Sequence, residues 1–399
     1  MEPYDDELQR IVAELNRAAP SAPSKTAPQH AEPARPTLKA VPAPSANLEQ
    51  ILTFAAQRNA SDVLLITGAP IALRLNGAIS TSGSTSGAAL LTGQEIQDLL
   101  FSFLNPEQHR ELQQKRSLDF GFVRPNGVRC RANIHYQRGA LAASIRLLPA
   151  RIPTLESLHL PPVLAKLAER RQGLVLVTGP TGCGKTSTLA ALIDFINNRS
   201  RFHIVAIEDP IEYHHPNLQS IVEQIEVGRD TPDFVNSLRG ILRQNPDIIL
   251  VGEMRDAETM ATVLTAAETG HMVFSTLHTN DAVQAVSRIL DSFPAANQPQ
   301  IRQQLSLSLT AVVAQQLVPG TDGISRFPAV EVLVATDAVR HMIRKGEDHQ
   351  LRLQLSTGRA DGMRTMEQSL VELVRSNRIT RETAFAHCFR PDDLKRHLE

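Results

Sequence analysis

Gly173-Leu-Val-Leu-Val-Thr178 runs directly into Gly179-Pro-Thr-Gly-Cys-Gly-Lys-Thr186, and this stretch decides the fold. Its apolar half reads as a strand buried on both faces. Its second half is a complete G-x-x-x-x-G-K-[ST] loop, after which Leu189, Leu192, Ile193 and Ile196 fall on one side of a helix. Strand, glycine turn and helix start are the setting in which such a loop grips phosphate. The glycines let backbone N–H groups converge on phosphate oxygens, and the helix N-terminus adds its positive dipole end. The candidate cradle is Gly179, Pro180, Thr181, Gly182, Cys183, Gly184, Lys185, Thr186 and Ser187. Lys185 would reach the β- and γ-phosphates, and the Thr186 hydroxyl would ligate Mg²⁺. Cys183 has two readings, a redox-sensitive thiol at a helix N-terminus or the occupant of a small-residue position.

The surrounding chain repeats the strand–helix rhythm. Apolar runs at Leu174–Thr178, Ile204–Ile207, Ile248–Val251 and Met272–Ser275 are separated by helical stretches, which argues for an α/β domain with a mostly parallel sheet. One helix is well marked, with Asp256 as its cap, Met260, Val263, Leu264 and Ala267 as its buried stripe, and Gly270 as its stop. From about residue 290 the pattern turns helical, through Pro299–Val318, Asp337–Lys345 and Thr365–Ser376, interrupted by a strand at Ala329–Val334. Upstream, Leu48–Ala55 reads as a helix, followed by strands at Asp62–Thr67, Ile71–Leu75, Leu118–Val123, Val128–His135 and Leu141–Leu147. Turns at Asn76-Gly77 and Asn126-Gly127 make this a small α+β module.

The organisation expected is therefore an extension over residues 1–46, an α+β domain over 47–149, a proline-rich hinge over 150–162, and the nucleotide-binding domain over 163–399. Within the extension, Leu8, Ile11, Val12 and Leu15 have helical spacing, and residues 18–46 hold nine alanines and seven prolines. The latter stretch should behave as an extended tether.

Composition excludes several functions. With 41 basic and 42 acidic residues, no broad positive field exists to hold a nucleic-acid backbone, and no Trp and three Tyr leave few platforms for stacking bases. No apolar run approaches the roughly 20 residues of a membrane helix, and MEPYDDELQR is not a signal peptide. Cys130, Cys183 and Cys388 lie too far apart for a disulfide framework or a CxxC site. A protein of a reducing compartment is expected, reaching membranes only through partners.

Downstream of the loop stand the groups that hydrolysis of a phosphoanhydride needs, which are positioning and charge rather than covalent chemistry. Glu253 ends the Ile248–Val251 strand at the sheet edge where ligands bind; it could polarise the attacking water and hold a Mg²⁺-bound water. Asp247, at the opposite end, is read as structural. Glu208-Asp-Pro-Ile-Glu212 ends another strand at the same edge, with Glu212 the second metal or water contact and Glu208 behind it. His271 precedes the Met272–Ser275 strand, whereas His278 follows it and should share the phosphate edge.

Together these stretches resemble the secretion-ATPase superfamily that powers type II secretion and type IV pili. GPTGCGKTSTLAALI is similar to its Walker A segment, IVAIEDPIEYHH to its Asp box, LRQNPDIILVGEMRDAETM to its Walker B segment and AETGHMVFSTLHTND to its His box. All four arrive in family order across Gly179–Asp281, and the likeness extends from about Asn47 to Ser376. AVRHMIR (Ala338–Arg344) and GMRTMEQSL (Gly362–Leu370) resemble elements of the pilus-retraction branch. The resemblance implies a PAS-like N-terminal domain, a RecA-like motor domain and a homohexameric ring with ATP between the domains. It implies Glu253 as catalytic base, Glu212 as the Asp-box carboxylate, and His271 and His278 as the His-box pair. It also implies phosphate-reaching roles for Arg131 and Arg146, which by pattern alone read as exposed strand residues. The function implied is an ATP-driven motor for retraction of type IV pili (twitching motility), working from the cytoplasm on an inner-membrane platform protein and the base of the pilin filament. ATP rather than GTP rests on this resemblance. Ile225 stands where the family often has Arg, and Pro319-Gly320 replaces a common basic pair. An assembly or secretion motor, an accessory retraction-like ATPase and a nucleotide-gated interaction module remain as alternatives.

Overall fold

The computed structural model describes residues 47–399, apart from 76, 82–88 and 150. The helical reading of residues 4–18, the Ala/Pro stretch and most of the Ser/Gly loop at 80–87 lie outside the described residues.

Two sheets organise the described chain. The first has six antiparallel strands in the order β3-β2-β1-β6-β5-β4, comprising β1 (Asp62–Ile66), β2 (Ala72–Leu75), β3 (Ala78–Thr81), β4 (Ser117–Val123), β5 (Arg129–Gln137) and β6 (Ala140–Leu147). Leu75 pairs with Ala78; Asn76, half of the Asn-Gly turn expected between them, lies outside the described residues. Helices Leu48–Gln57, Gly93–Phe101 and Pro106–Lys115 pack on β1, β6 and β4.

The second sheet has seven strands in the order β13-β12-β7-β11-β10-β8-β9. They are β7 (Gly173–Thr178), β8 (His203–Glu208), β9 (Ile221–Glu226), β10 (Ile248–Val251), β11 (Met272–Leu277), β12 (Leu309–Pro319) and β13 (Arg326–Val334). All are parallel except β13. Because side chains alternate across a strand, Leu174, Leu176, Ile249 and Val251 join one core with the helices Ala257–Glu268 and Ala282–Asp291. Val175, Val177, Ile248 and Leu250 join another with helix Lys185–Asn197. Burial on both faces explains why these strands read as unbroken apolar runs. Asp256 caps its helix by accepting from Thr259 N, and Gly270 holds φ +110° just past the end, as the pattern indicated.

One expectation fails. The helix expected through Val318 stops at Ser308, and Leu309–Pro319 is β12, bonded to β7 on one side and β13 on the other. Leu309-Thr-Ala-Val-Val-Ala314 is buried on both faces, so its apolar residues satisfy a helical template and a central-strand template alike. The C-terminal part is therefore not wholly helical, since two of its strands extend the second sheet. Helices Met366–Arg375, Arg381–His387 and Pro391–Leu398 gather around Val318 and Ala329 of those strands.

Candidate functional site

The phosphate loop joins β7 to helix Lys185–Asn197. Gly184 is the N-cap of that helix, in the left-handed region at φ +92°, and no side chain caps the first turn. The first-turn N–H groups have no partner within the helix and form an anion seat. Two loop glycines are required by a close neighbour. A Cβ at Gly179 would stand 2.2 Å from the Gln315 carbonyl oxygen, and one at Gly184 would stand 2.9 Å from Gln315 Nε2. The Lys185 ammonium is buried, donating to the carbonyl oxygens of Gly179 (2.8 Å) and Pro180 (3.2 Å). Burial pushes its pKa down; an anionic ligand would oppose that. Burial also raises the Cys183 thiol, outweighing the pull of Lys185, so its place in the loop is a matter of packing.

The parallel strands bring their C-terminal ends to one edge, and the acids meet there. Glu253 follows β10 by two residues; Gly252 between them donates to the Ile207 carbonyl and accepts from Thr276 Oγ1. The carboxylate has one oxygen 3.3 Å from His278 Nε2, and its other oxygen pairs with Arg255. Arg255 also reaches Asp209, at 3.7 Å. Glu208 is buried, accepts from Gln224 Nε2 at 2.9 Å, and is pushed up to about 7 by that burial. The loop beyond it is held from β9, where Gln224 donates to the Tyr213 carbonyl and Glu226 accepts from Ile211 N. Ser187 meets the Tyr213 hydroxyl at 2.9 Å.

A cleft of about 650 Å³ unites these groups: Thr181, Gly182, Gly184, Lys185, Thr186, Ser187, Glu208, Glu212, Glu253 and His278 all line it. Its far wall is the first sheet, through Ser61, Asp62, Arg74 and Arg146. Arg146 donates from Nε to Asp62 at 3.0 Å, and its side chain is well exposed. Arg131 faces Arg146 across the β5–β6 ladder but is held by two bonds to Asp119, at 2.9 and 2.7 Å. It does not line the cleft, though the charges of Asp209 and Glu212 act on it. His271 is not brought in. It lies at the N-terminal end of β11, its Nδ1 3.0 Å from the Ala266 carbonyl. Asp247 sits at that same end, accepting from His203 N, a structural role.

Residues 156–385 match the family described as "Type II/IV secretion system protein". The chain belongs to this family. It is 46% identical over 294 residues to a twitching motility protein of Neisseria gonorrhoeae, covering 74% of this chain and 79% of that one. To the type IV pilus retraction ATPase PilT of Pseudomonas aeruginosa it is 39% identical over 338 residues, covering 85% and 97%. A crystal structure of the retraction motor PilT with bound ADP superposes with a TM-score of 0.80 at 41% identity, covering 88% of this chain and all of that one. This is a PilT-like member of the type II/IV secretion family.

Several groups were not singled out in the sequence: Asp62 and Arg74, which line the cleft, Arg255, which pairs with Glu253, and the β9 residues Gln224 and Glu226, which hold Glu208 and the loop beyond it. Arg255 had a usable signal, two residues beyond a carboxylate at a strand end. The buried Glu208 gives a pH-dependent stability. Folded, it keeps its proton up to about 7; unfolded, it loses it near the ordinary carboxylate value. The folded state therefore binds the extra proton between these values, and stability drains as pH rises through that window. Glu208→Gln keeps the acceptor for Gln224 and removes the titration. Its Tm should equal that of the wild type at pH 5 and exceed it by about 2–4 °C at pH 8, measured by differential scanning calorimetry.

Proposed function

We propose that this chain is an ATP-hydrolysing motor that drives retraction of type IV pili, the process behind twitching motility. What carries the reading is the meeting, in one cleft, of the phosphate loop, Glu253 and an arginine wall from a second sheet. The retraction role rests on that site together with the likeness to the gonococcal twitching protein and to PilT.

ATP fits the cradle through the amides of residues 182–186 and the Lys185 ammonium, which neutralise the β- and γ-phosphates. Thr186 and Glu253 offer hard oxygen donors suited to Mg²⁺, directly or through water, and the ion would withdraw charge from the phosphate oxygens. Glu253 aligns the attacking water and accepts its proton. His278, bonded to Glu253, senses the terminal phosphate, and Glu212, which lines the same cleft, would offer a second carboxylate to a bound Mg²⁺ through water. Arg146, with Arg131 beside it, belongs to the other sheet. A guanidinium brought in from there neutralises transition-state charge and ties closure of the cleft to hydrolysis.

Six copies form the working ring. The ring acts at the cytoplasmic side of the inner membrane, where a platform protein passes the motion to the pilin filament base. Among the described residues no helix is long and apolar enough to cross a membrane.

The test is a deletion strain. Loss of the gene should leave more surface filaments and no twitching, both restored by the wild-type gene but not by a Lys185→Ala copy. The purified chain should have a native mass six times that of one chain. A strain bare of filaments would assign assembly instead and overturn the retraction reading.

A further inference from the structure

The loop's grip on phosphate depends on where its amides point, and one residue outside the loop holds them. Gln315 lies on β12, the parallel neighbour of β7, one residue beyond the rung at which Ala314 pairs with Thr178. Its side chain is buried. Nε2 donates to the Cys183 carbonyl at 2.7 Å, and Oε1 accepts from Thr188 Oγ1 at 2.8 Å. Its backbone carbonyl and its amide nitrogen fill the spaces beside Gly179 and Gly184.

The orientation of this amide has one solution. A carbonyl oxygen can only accept, so the NH₂ group must face Cys183, and the Thr188 hydroxyl then turns its proton to the amide oxygen. A trans peptide places its C=O and N–H on opposite sides. Holding the Cys183 carbonyl toward β12 therefore turns the Gly184 N–H away from β12, and Gly184 lines the cleft.

We infer that Gln315 is the positioning residue of the phosphate cradle, aiming the Gly184 amide at the nucleotide from behind the loop through Cys183 and Thr188. This rests on the cleft binding a nucleotide, and it identifies what gives the cradle its geometry. Gln315 touches no ligand itself. Because it belongs to β12, it ties the strand next to β7 to the nucleotide site.

Gln315→Met keeps length and volume but makes neither bond. Gln315→Glu keeps the acceptor for Thr188 and sets an oxygen against the Cys183 carbonyl. Both should weaken ADP binding by about tenfold or more, the scale of one lost oriented hydrogen bond left partly unsatisfied. KM for ATP should rise in parallel while kcat at saturation changes less. Thr188→Val should weaken ADP binding by about threefold by freeing the far end of the amide, and Thr188→Ser, which keeps the hydroxyl, should restore it. The measurement is ADP titration by calorimetry on the full chain, with circular dichroism to establish folding. A role confined to packing would lower Tm and leave ADP affinity and the kcat-to-KM split untouched. ADP affinity within twofold of wild type in Gln315→Met, while Lys185→Ala loses ADP, overturns the inference alone. If Gln315→Met does not fold, equal affinities in Thr188→Val and Thr188→Ser overturn it. No ADP binding by the wild-type chain would instead overturn the functional reading on which it rests.

Discussion

Lys185→Ala is expected to remove ATP turnover, lowering kcat/KM by about a thousandfold or more, the scale of losing a charge placed against a transferring phosphoryl group. The ammonium is largely withdrawn from water, and the Gly179 and Pro180 carbonyls are its hydrogen-bond acceptors within the loop. Desolvation already disfavours its charge, so under the proposed function anionic phosphate would make the charge worth keeping, supplying what two neutral carbonyls cannot. Alanine is a good helix former, and residue 185 is the first of its helix, so secondary structure and the native mass should not change. ADP binding should fall together with turnover, because the lost contact is made in the ground state as well. Phosphate release in the presence of Mg²⁺ and ADP titration read the two effects. Turnover within tenfold of wild type would remove Lys185 from the cradle.

The loop and the Ile248–Val251 strand are legible because their patterns are local. A buried parallel strand carries its own signature in Leu174–Val177 and in Ile248–Val251, and the glycines and Lys185 follow at fixed spacing. Two helices beside the first sheet, Gly93–Phe101 and Pro106–Lys115, carry equally local signals. Thr92 with Glu95, and Asn105 with Pro106 and Gln108, are complete capping boxes. Strand β9 gives a weaker signal, since Ile221, Val222 and Ile225 are mixed with Glu223, Gln224 and Glu226 on a half-exposed edge. What could not be read was pairing between distant segments. Gln315 matters because β12 lies beside β7, and nothing within its own neighbourhood announces that. Arg146 enters the cleft only because the first sheet walls it, whereas Arg131, on the adjacent strand, is drawn to Asp119 instead. The two histidines show the same limit. His271 and His278 flank one six-residue strand, so about 20 Å of extended chain separates them. Only the residue at the C-terminal end reaches Glu253.

That partnership makes Glu253→Gln the most informative substitution after Lys185→Ala, since it should separate gripping the nucleotide from cleaving it. Phosphoryl transfer to water needs an acceptor for the water's proton and an aligned attack, and a placed carboxylate contributes about 10²–10⁴-fold to such a step. Glu253 is held from two sides, by His278 Nε2 and by the Arg255 guanidinium, which Asp209 shares. Glutamine keeps the size and one acceptor oxygen but cannot take up a proton, and it no longer balances Arg255. Hydrolysis should therefore fall by about two to four orders of magnitude. The loop amides and Lys185 lie on a different strand–helix junction, so ATP affinity should stay within a few fold of wild type. The variant chain should thus hold unhydrolysed ATP, recoverable by rapid gel filtration, where Lys185→Ala holds none. Brisk phosphate release from Glu253→Gln would move the catalytic role elsewhere at this edge, with Glu212 the first group to be tested in its place.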